Sequence, residues 1–207
     1  EIGIVTGALG ITGLDVTIHG EGNHAGTTPM GHRKDAMVAA TQAILAIREN
    51  VLKYGDPAVI TNGKLDIPMP SKNVVPGTVY FSVDMRYHTG EGLTRMEEET
   101  KKIIEDICDQ NGVTVTIERY WKADPVAFDK KIVDCARENA TKLGFVHRDI
   151  ISGAGHDAVF ISNVMPTGML FVPSIKGLSH CPQEDTKFED LVKGTMVTAA
   201  TLVDLDA

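Results

Sequence analysis

The strongest constraint on the fold of this chain is a strict alternation of apolar and polar residues from 79 to 86. A period of two indicates a β-strand with one buried face, because successive side chains of a strand point to opposite sides of its sheet. Residues 14–18 and 113–117 alternate in the same way, and residues 59–67 do so less regularly. These segments predict four strands. The apolar positions of the clearest one are Val79, Phe81, Val83 and Met85.

Two helices are predicted between these strands. Apolar residues at steps of three and four predict a helix over about 33–53, which Gly55-Asp56-Pro57 ends. Its apolar stripe consists of Met37, Ala40, Ile44, Ile47 and Val51, widened by Val38, Leu45 and Leu52. A second helix ends at Asn111-Gly112. Its stripe consists of Leu93, Met96, Thr100, Ile103 and Ile107.

The resulting order is strand, helix, strand, strand, helix, strand, which is the split βαβ arrangement of a ferredoxin-like domain. In that arrangement both helices cover one face of the sheet and leave the other face bare. A bare face or edge favours contact with a second copy of the chain across a two-fold axis. We therefore expect this region to form a homodimer.

The composition changes around residues 122–125, which predict a linker. Beyond it, helices alternate with two short strands at 149–152 and 168–172, a pattern typical of an α/β layer with a parallel sheet. Parallel sheets usually contain more strands than two. The expected fold class is therefore α/β, in which a ferredoxin-like α+β domain is joined to half of an α/β domain.

The charge and composition of the chain exclude several kinds of partner. A net charge of −8 and a pI near 5.3 argue against a nucleic-acid surface, which needs concentrated positive charge. No apolar run approaches the roughly 18 residues that span a membrane. The sparse cysteines (Cys108, Cys135 and Cys181) are typical of reduced thiols in a cytoplasmic protein. Because the first residue is Glu1 rather than Met, we expect the natural protein to start further upstream.

The segment GNHAGTTPMGHRKDA, residues 22–36, contains the first candidate for chemistry. It places His24 among very small and hydroxylated residues between a predicted strand and a predicted helix. The alternative to a functional histidine is an ordinary exposed polar loop.

Two further loops follow the short strands of the second region, and ligands of open α/β sheets bind at the carboxyl ends of strands. In SGAGHDA (152–158) the glycines would let backbone N–H groups approach a ligand; the alternative is a helix cap by Asp157 beside a core histidine. GLSHCPQE (177–184) contains His180, for which a solvated side chain is the alternative. Pro182 in this loop argues against a helical metal pair of His180 with Glu184.

Arg86 and Asn73 are candidates for substrate binding. Arg86 lies on the polar face of its strand, where it would either form a surface salt bridge with Asp84 or grip a substrate carboxylate in two places. Asn73 lies in PSKNVVPG and would either form a turn or bind an acyl or ureido group through its amide.

Other catalytic motifs are missing from the sequence. It contains no GxSxG elbow, no HExxH, no P-loop and no GxGxxG at a strand-to-helix turn. Cys181 next to His180 does not favour a thiol nucleophile, because adjacent side chains rarely point at each other productively.

Four ordered segments together resemble a known family: GNHAGTTPMGHRKDA, NVVPGTVYFSVDMRYHTG, SGAGHDA and GLSHCPQE. They look like the hydantoinase/carbamoylase amidohydrolases, relatives of the zinc aminoacylase and carboxypeptidase-G-type metallopeptidases. The resemblance extends over essentially the whole chain. It implies that residues 1–8 end an upstream catalytic segment, 9–122 form a lid and dimerisation domain, and 123–207 form the C-terminal part of the catalytic domain.

The resemblance also implies a role for each matching residue. His24 would reach into the active site of the partner subunit, polarise the scissile carbonyl and stabilise the oxyanion. Asn73 would bind substrate, and Arg86 would bind its carboxylate. Gly153 and Ala154 would contact substrate through the backbone. His180 would be the last ligand of two divalent metal ions (Zn, Mn, Co or Ni).

The family's other metal ligands and the glutamate that activates water lie upstream of the lid, and none of them is in this sequence. One histidine cannot hold a dinuclear site. We therefore expect this chain to be an inactive portion of an enzyme that hydrolyses the linear-amide C–N bond of N-carbamoyl amino acids or related ureido acids. The alternatives are a peptidase or aminoacylase of the same superfamily, or a non-catalytic dimerisation or binding module.

Overall fold

The computed structural model describes residues 2–206, so Glu1 and Ala207 lie outside the described residues. It divides into two compact units, Gly10–Pro125 and a second unit that combines residues 2–9 with 126–206. The strands are β1 (Ile2–Ala8), β2 (Gly10–His19), β3 (Asn23–His24), β4 (Val59–Thr61), β5 (Leu65–Asp66), β6 (Val74–Val75), β7 (Thr78–Tyr87), β8 (Thr114–Ala123), β9 (Val126–Ala127), β10 (His147–Ser152) and β11 (Met169–Phe171). The α-helices are α1 (Ala36–Leu52), α2 (Gly90–Gln110), α3 (Lys130–Lys142), α4 (Asp157–Ile161) and α5 (Phe188–Asp206).

The unit Gly10–Pro125 is built on an antiparallel sheet with strand order β4-β7-β2-β8. The register places Val16 opposite both Phe81 and Ile117, so apolar side chains from neighbouring strands share one face. This face packs with α1 and α2 into one core, in which Ile47 and Met96 are fully buried. The predicted strands and helices of this unit occur in the predicted order, but the strand expected over 59–67 is divided into β4 and β5, and the short β3 and β6 were not predicted.

The first helix is shorter and narrower than the sequence predicts. It begins after Asp35, whose carboxylate accepts hydrogen bonds from the backbone N–H groups of Met37 and Val38. The prediction that Val38, Leu45 and Leu52 widen its apolar stripe is wrong. Its buried line consists largely of alanines (Ala36, Ala39, Ala40 and Ala43), which allow close packing over a narrow face. The residues left exposed are Val38, Leu45 and Leu52.

The unit of residues 2–9 and 126–206 contains a mixed sheet with strand order β10-β1-β11. β10 runs parallel to β1, whereas β11 and the short β9 run antiparallel to it. The predicted parallel sheet is therefore only half right, because the apolar pattern of a short strand carries no information about its direction. The carboxyl ends of β10 and β11 consequently point in opposite directions, which corrects the expectation that both candidate loops follow strands of the same direction. Buried side chains from β1, α3 and α5, among them Ile4, Ala140 and Val197, form the core.

No helix within residues 2–206 is both long and apolar enough to cross a membrane. The three cysteines are free thiols.

The carboxylate of Glu99, on α2, contacts residues at and just after the C-terminal end of α1. Its Oε2 atom accepts hydrogen bonds from the Tyr54 hydroxyl at 2.7 Å and from Asn50 at 3.1 Å, and lies 2.8 Å from Lys53 Nζ. The hydrogen bond from Lys53, with those from Tyr54 and Asn50, lowers the pKa of Glu99 from 4.5 to about 2, although burial opposes this shift.

We expect Glu99→Gln to lower the free energy of unfolding at pH 7 by about 1 to 2 kcal/mol, reduced for partial exposure of the carboxylate. Because the pKa of Glu99 is lower in the folded state, its stabilisation is present above about pH 4.5 and is lost as the pH falls to about 2. Urea denaturation of both proteins at several pH values should show the difference shrinking over this range. Glu98→Gln, at an exposed neighbouring position, is the matched control; an equal effect there would contradict the assignment.

Candidate active site

The loop that carries His24 is joined to the segment that carries Asn73. β3 and β6 pair antiparallel, with His24 opposite Val74. The backbone N–H of Ala25 donates to the carbonyl of Asn73 at 2.9 Å. The structure therefore brings together two of the predicted site residues that are far apart in sequence.

The imidazole of His24 has a defined tautomer in its neutral form. Its Nδ1 atom accepts hydrogen bonds from the backbone N–H groups of Gly26 at 3.1 Å and Thr27 at 3.2 Å. Since Nδ1 is an acceptor, the ring proton of the neutral form is on Nε2. A Cβ atom at Gly26 would lie only 3.2 Å from Cε1 of His24, so glycine allows this close approach. His24 is exposed, and its remaining ring nitrogen is an N–H donor.

Arg33 supports the same loop, which the sequence analysis missed. Its Nη2 atom donates to the carbonyl of Ala25 at 2.6 Å, and its Nε atom donates to the carbonyl of Thr28 at 3.1 Å. The Thr28 hydroxyl in turn donates to the carbonyl of His24 at 2.7 Å. An arginine at the end of a loop of small residues was the signal that could have indicated this role.

Asn73 is exposed next to this loop. Its side-chain Oδ1 accepts a hydrogen bond from the Ser71 hydroxyl at 2.7 Å. Its amide Nδ2 donates to no residue in the described part of the chain, so it is a candidate donor for a ligand. The backbone of Asn73 is thus held next to the His24 loop, and its amide is available to a ligand.

Arg86 forms the salt bridge with Asp84 that the sequence offered as one alternative. Its Nε lies 2.8 Å from Oδ1 and its Nη2 lies 3.1 Å from Oδ2, a two-point contact between side chains on the same strand face. Hydrogen bonding to Asp84 raises the pKa of Arg86 above its ordinary value, so the guanidinium is charged at any physiological pH.

Arg86 and His24 lie at opposite ends of the sheet. Ile11 pairs with Arg86 and His19 pairs with Thr78. At about 3.3 Å per residue, the part of β2 between Ile11 and His19 spans about 26 Å, and His24 follows the far end. Within one chain these two side chains therefore do not meet at one small ligand.

The loop after β10 does not show the helix cap and core histidine that the sequence offered as the alternative to a ligand-binding loop. The N-cap position of α4 is His156, without a side-chain cap, and Asp157 is the first helical residue, so the alternative of a helix cap by Asp157 is wrong. His156 is half-buried rather than a core residue. Its ring contacts Phe171 at 5.4 Å between centroids, and its Nε2 atom lies 2.9 Å from the Ser152 hydroxyl.

Ser152 shapes the backbone of that loop. Its hydroxyl accepts from the N–H of Ala154 at 3.2 Å and lies 3.1 Å from the Ala154 carbonyl. A Cβ atom at Gly153 would meet nothing within 4 Å. A side chain at position 153 would therefore meet no steric obstacle.

His180 lies in an exposed, non-helical loop with a positive φ of 57°. Its backbone N–H donates to the Glu184 carboxylate at 2.8 Å. The carboxylate thus closes the loop instead of pairing with the imidazole. Among residues 2–206 no group of three or more His, Cys, Asp or Glu side chains is placed to hold a metal ion.

Known proteins are similar to this chain over essentially its whole length. The model of the peptidase family M20/M25/M40 matches residues 5–204. The N-carbamoyl-L-amino-acid amidohydrolase of Paenarthrobacter aurescens is 40% identical over 206 residues, which are 100% of this chain and 50% of that protein. The allantoate amidohydrolase of Escherichia coli strain K12 is 36% identical, with 99% of this chain and 50% of that protein covered.

A solved structure shows the same similarity. The crystal structure of an amidase of the hydantoinase/carbamoylase family from Burkholderia multivorans superposes with a TM-score of 0.92 at 35% identity. The match covers 98% of this chain and 49% of that one. The chain spans about half the length of the curated relatives it matches.

Proposed function

Because the chain belongs to the peptidase family M20/M25/M40, we propose that it is part of a metal-dependent amidohydrolase acting on small ureido acids. The reaction is hydrolysis of the linear-amide C–N bond of N-carbamoyl amino acids or of related ureido acids such as allantoate. The two curated relatives, which are 40% and 36% identical to the chain, are named as an N-carbamoyl-L-amino-acid amidohydrolase and an allantoate amidohydrolase.

The observation that carries this proposal is the Nε2–H of His24. Two backbone N–H groups at Nδ1 hold the neutral ring in one tautomer, so Nε2 presents a donor from an exposed loop. A donor held in place before the reaction is what a developing oxyanion at a scissile carbonyl requires. Asn73, joined to the same loop, would bind the carbonyl or ureido group through its amide.

Arg86 is the proposed binding group for the substrate carboxylate. Its charge is permanent, and Asp84 holds the guanidinium plane in one orientation. Gly153 and Ala154 are proposed to contact substrate through their backbone.

The unit Gly10–Pro125 is proposed to be the lid and dimerisation domain, with a ferredoxin-like topology. His24 and Arg86 lie at opposite ends of the sheet, so both can serve one small substrate only if they come from different subunits. This separation supports a homodimer in which His24 acts in the partner's active site.

The proposed metal centre draws only one ligand from this chain. The residues described here do not fit a dinuclear centre, since no cluster of three ligand side chains occurs among them. His180 is the one ligand we propose from this chain, and the remainder of a full-length protein would supply the others.

The test is a substrate panel with a full-length protein that contains this chain. We expect turnover of N-carbamoyl amino acids or allantoate, followed as released amino acid or ammonia, and loss of activity on treatment with a chelator. Dipeptides and N-acetyl amino acids are the control substrates. Residues 1–207 alone should show neither turnover nor stoichiometric metal after dialysis. Preferential cleavage of dipeptides, or no cleavage of any ureido acid, would contradict the proposal.

A further inference from the structure

The ring of Tyr120 lies across the polar face of the sheet, directly over Gly13. A Cβ atom at Gly13 would overlap Cζ of Tyr120 and would lie 2.7 Å from its hydroxyl oxygen. Any larger residue at position 13 would displace this ring. The position of the phenol therefore depends on a glycine on the neighbouring strand.

An irregularity in β8 places Tyr120 there. Gly13 pairs with Trp121 and Leu14 pairs with Arg119, so Tyr120 is the extra residue of a bulge. Bulges commonly redirect a side chain close to a functional site. Tyr120 remains 53% exposed, so a ligand can reach it.

The phenol is next to the proposed carboxylate-binding group. Gly13 pairs with Asp84 across the sheet, and directly opposite Cβ positions are about 5 Å apart. Asp84 in turn holds Arg86. Burial, followed by the charges of Asp84 and Asp15, raises the pKa of Tyr120 above its ordinary value, and the charge of Arg86 only partly opposes this shift, so the hydroxyl is protonated at neutral pH.

The Tyr120 hydroxyl donates to no residue in the described part of the chain, in contrast to Tyr80 on the same face, whose hydroxyl donates to Asp15. We propose that the Tyr120 hydroxyl is a second donor to the substrate carboxylate that Arg86 binds. Tyr120 is then a specificity-determining residue, which selects a carboxylate over a neutral group at this position of the substrate. This inference rests on the proposed function.

The test is Tyr120→Phe in the full-length protein, which removes the hydroxyl and keeps the ring. A hydrogen bond to a charged group predicts a rise in KM for a ureido acid of roughly 10-fold, with kcat changed much less. The same variant should leave KM for the corresponding carboxamide unchanged. If Tyr120 had a purely structural role, the variant would change KM equally for both substrates. Tyr80→Phe is the matched control, and we expect it to leave the ratio of the two kcat/KM values unchanged.

Two results would overturn the inference. If the wild-type protein cleaves ureido acids and Tyr120→Phe leaves the carboxylate-to-carboxamide ratio within twofold, the role of Tyr120 is wrong and the proposed function stands. If the wild-type protein cleaves no ureido acid, both are wrong.

Discussion

Arg86→Ala in the full-length protein is expected to lower kcat/KM for ureido acids by roughly 10- to 1,000-fold, which corresponds to about 1.5 to 4 kcal/mol for the loss of a charge-assisted pair. The guanidinium is held by Asp84 on a rigid strand, so the enzyme would lose a charge that is already oriented. Steady-state kinetics with a carboxylate substrate and its carboxamide should show the loss mainly for the carboxylate.

Two further variants define the cause of this loss. Arg86→Lys should recover activity only in part, because an ammonium group cannot reproduce a planar two-point contact. Arg48→Ala removes an exposed arginine of α1 and should leave kcat/KM unchanged. A decrease of less than threefold for Arg86→Ala, in a protein that unfolds like wild type, would contradict carboxylate binding by Arg86.

The architecture of the first unit could be predicted because its burial follows a simple period. Val79, Phe81, Val83 and Met85 alternate with polar residues, and all four are fully buried. The contact between Arg86 and Asp84 was also predictable, since residues two apart on a strand share a face.

Strand direction and the width of a buried helix face could not be predicted, because they depend on tertiary packing. The apolar run at β11 is compatible with either direction. In α1 the alanines define the buried side, and the larger Leu45 and Leu52 are exposed. The presence of large apolar side chains therefore predicted a buried face that is too wide.

The sequence predicts candidate residues for the site, but it could not predict how they are arranged. His24 and Asn73 are 49 positions apart, and only the pairing of β3 with β6 brings them together. The tautomer of His24 depends on the loop conformation at Gly26 and Thr27. The position of Tyr120 depends on a bulge, which no periodic pattern indicates.

His24→Ala in the full-length protein is expected to lower kcat by roughly 100- to 1,000-fold with little change in KM, because an oxyanion donor acts mainly in the transition state. His32→Ala, at an exposed position of the same loop, is the matched control and should retain activity. A change in KM alone would contradict the oxyanion role and would indicate a binding contact.

The arrangement across subunits makes a stronger prediction. If His24 acts in the partner's site, mixing equal amounts of the inactive His24→Ala and His180→Ala chains should restore activity. In each heterodimer one site combines intact metal ligands with the partner's His24, whereas the other site lacks both. Random pairing makes half of the dimers heterodimers, so about one quarter of wild-type activity is expected. If His24 acted within its own subunit, every site in the mixture would lack one of the two groups. Heterodimers verified by two affinity tags that show no activity would therefore disprove the trans arrangement.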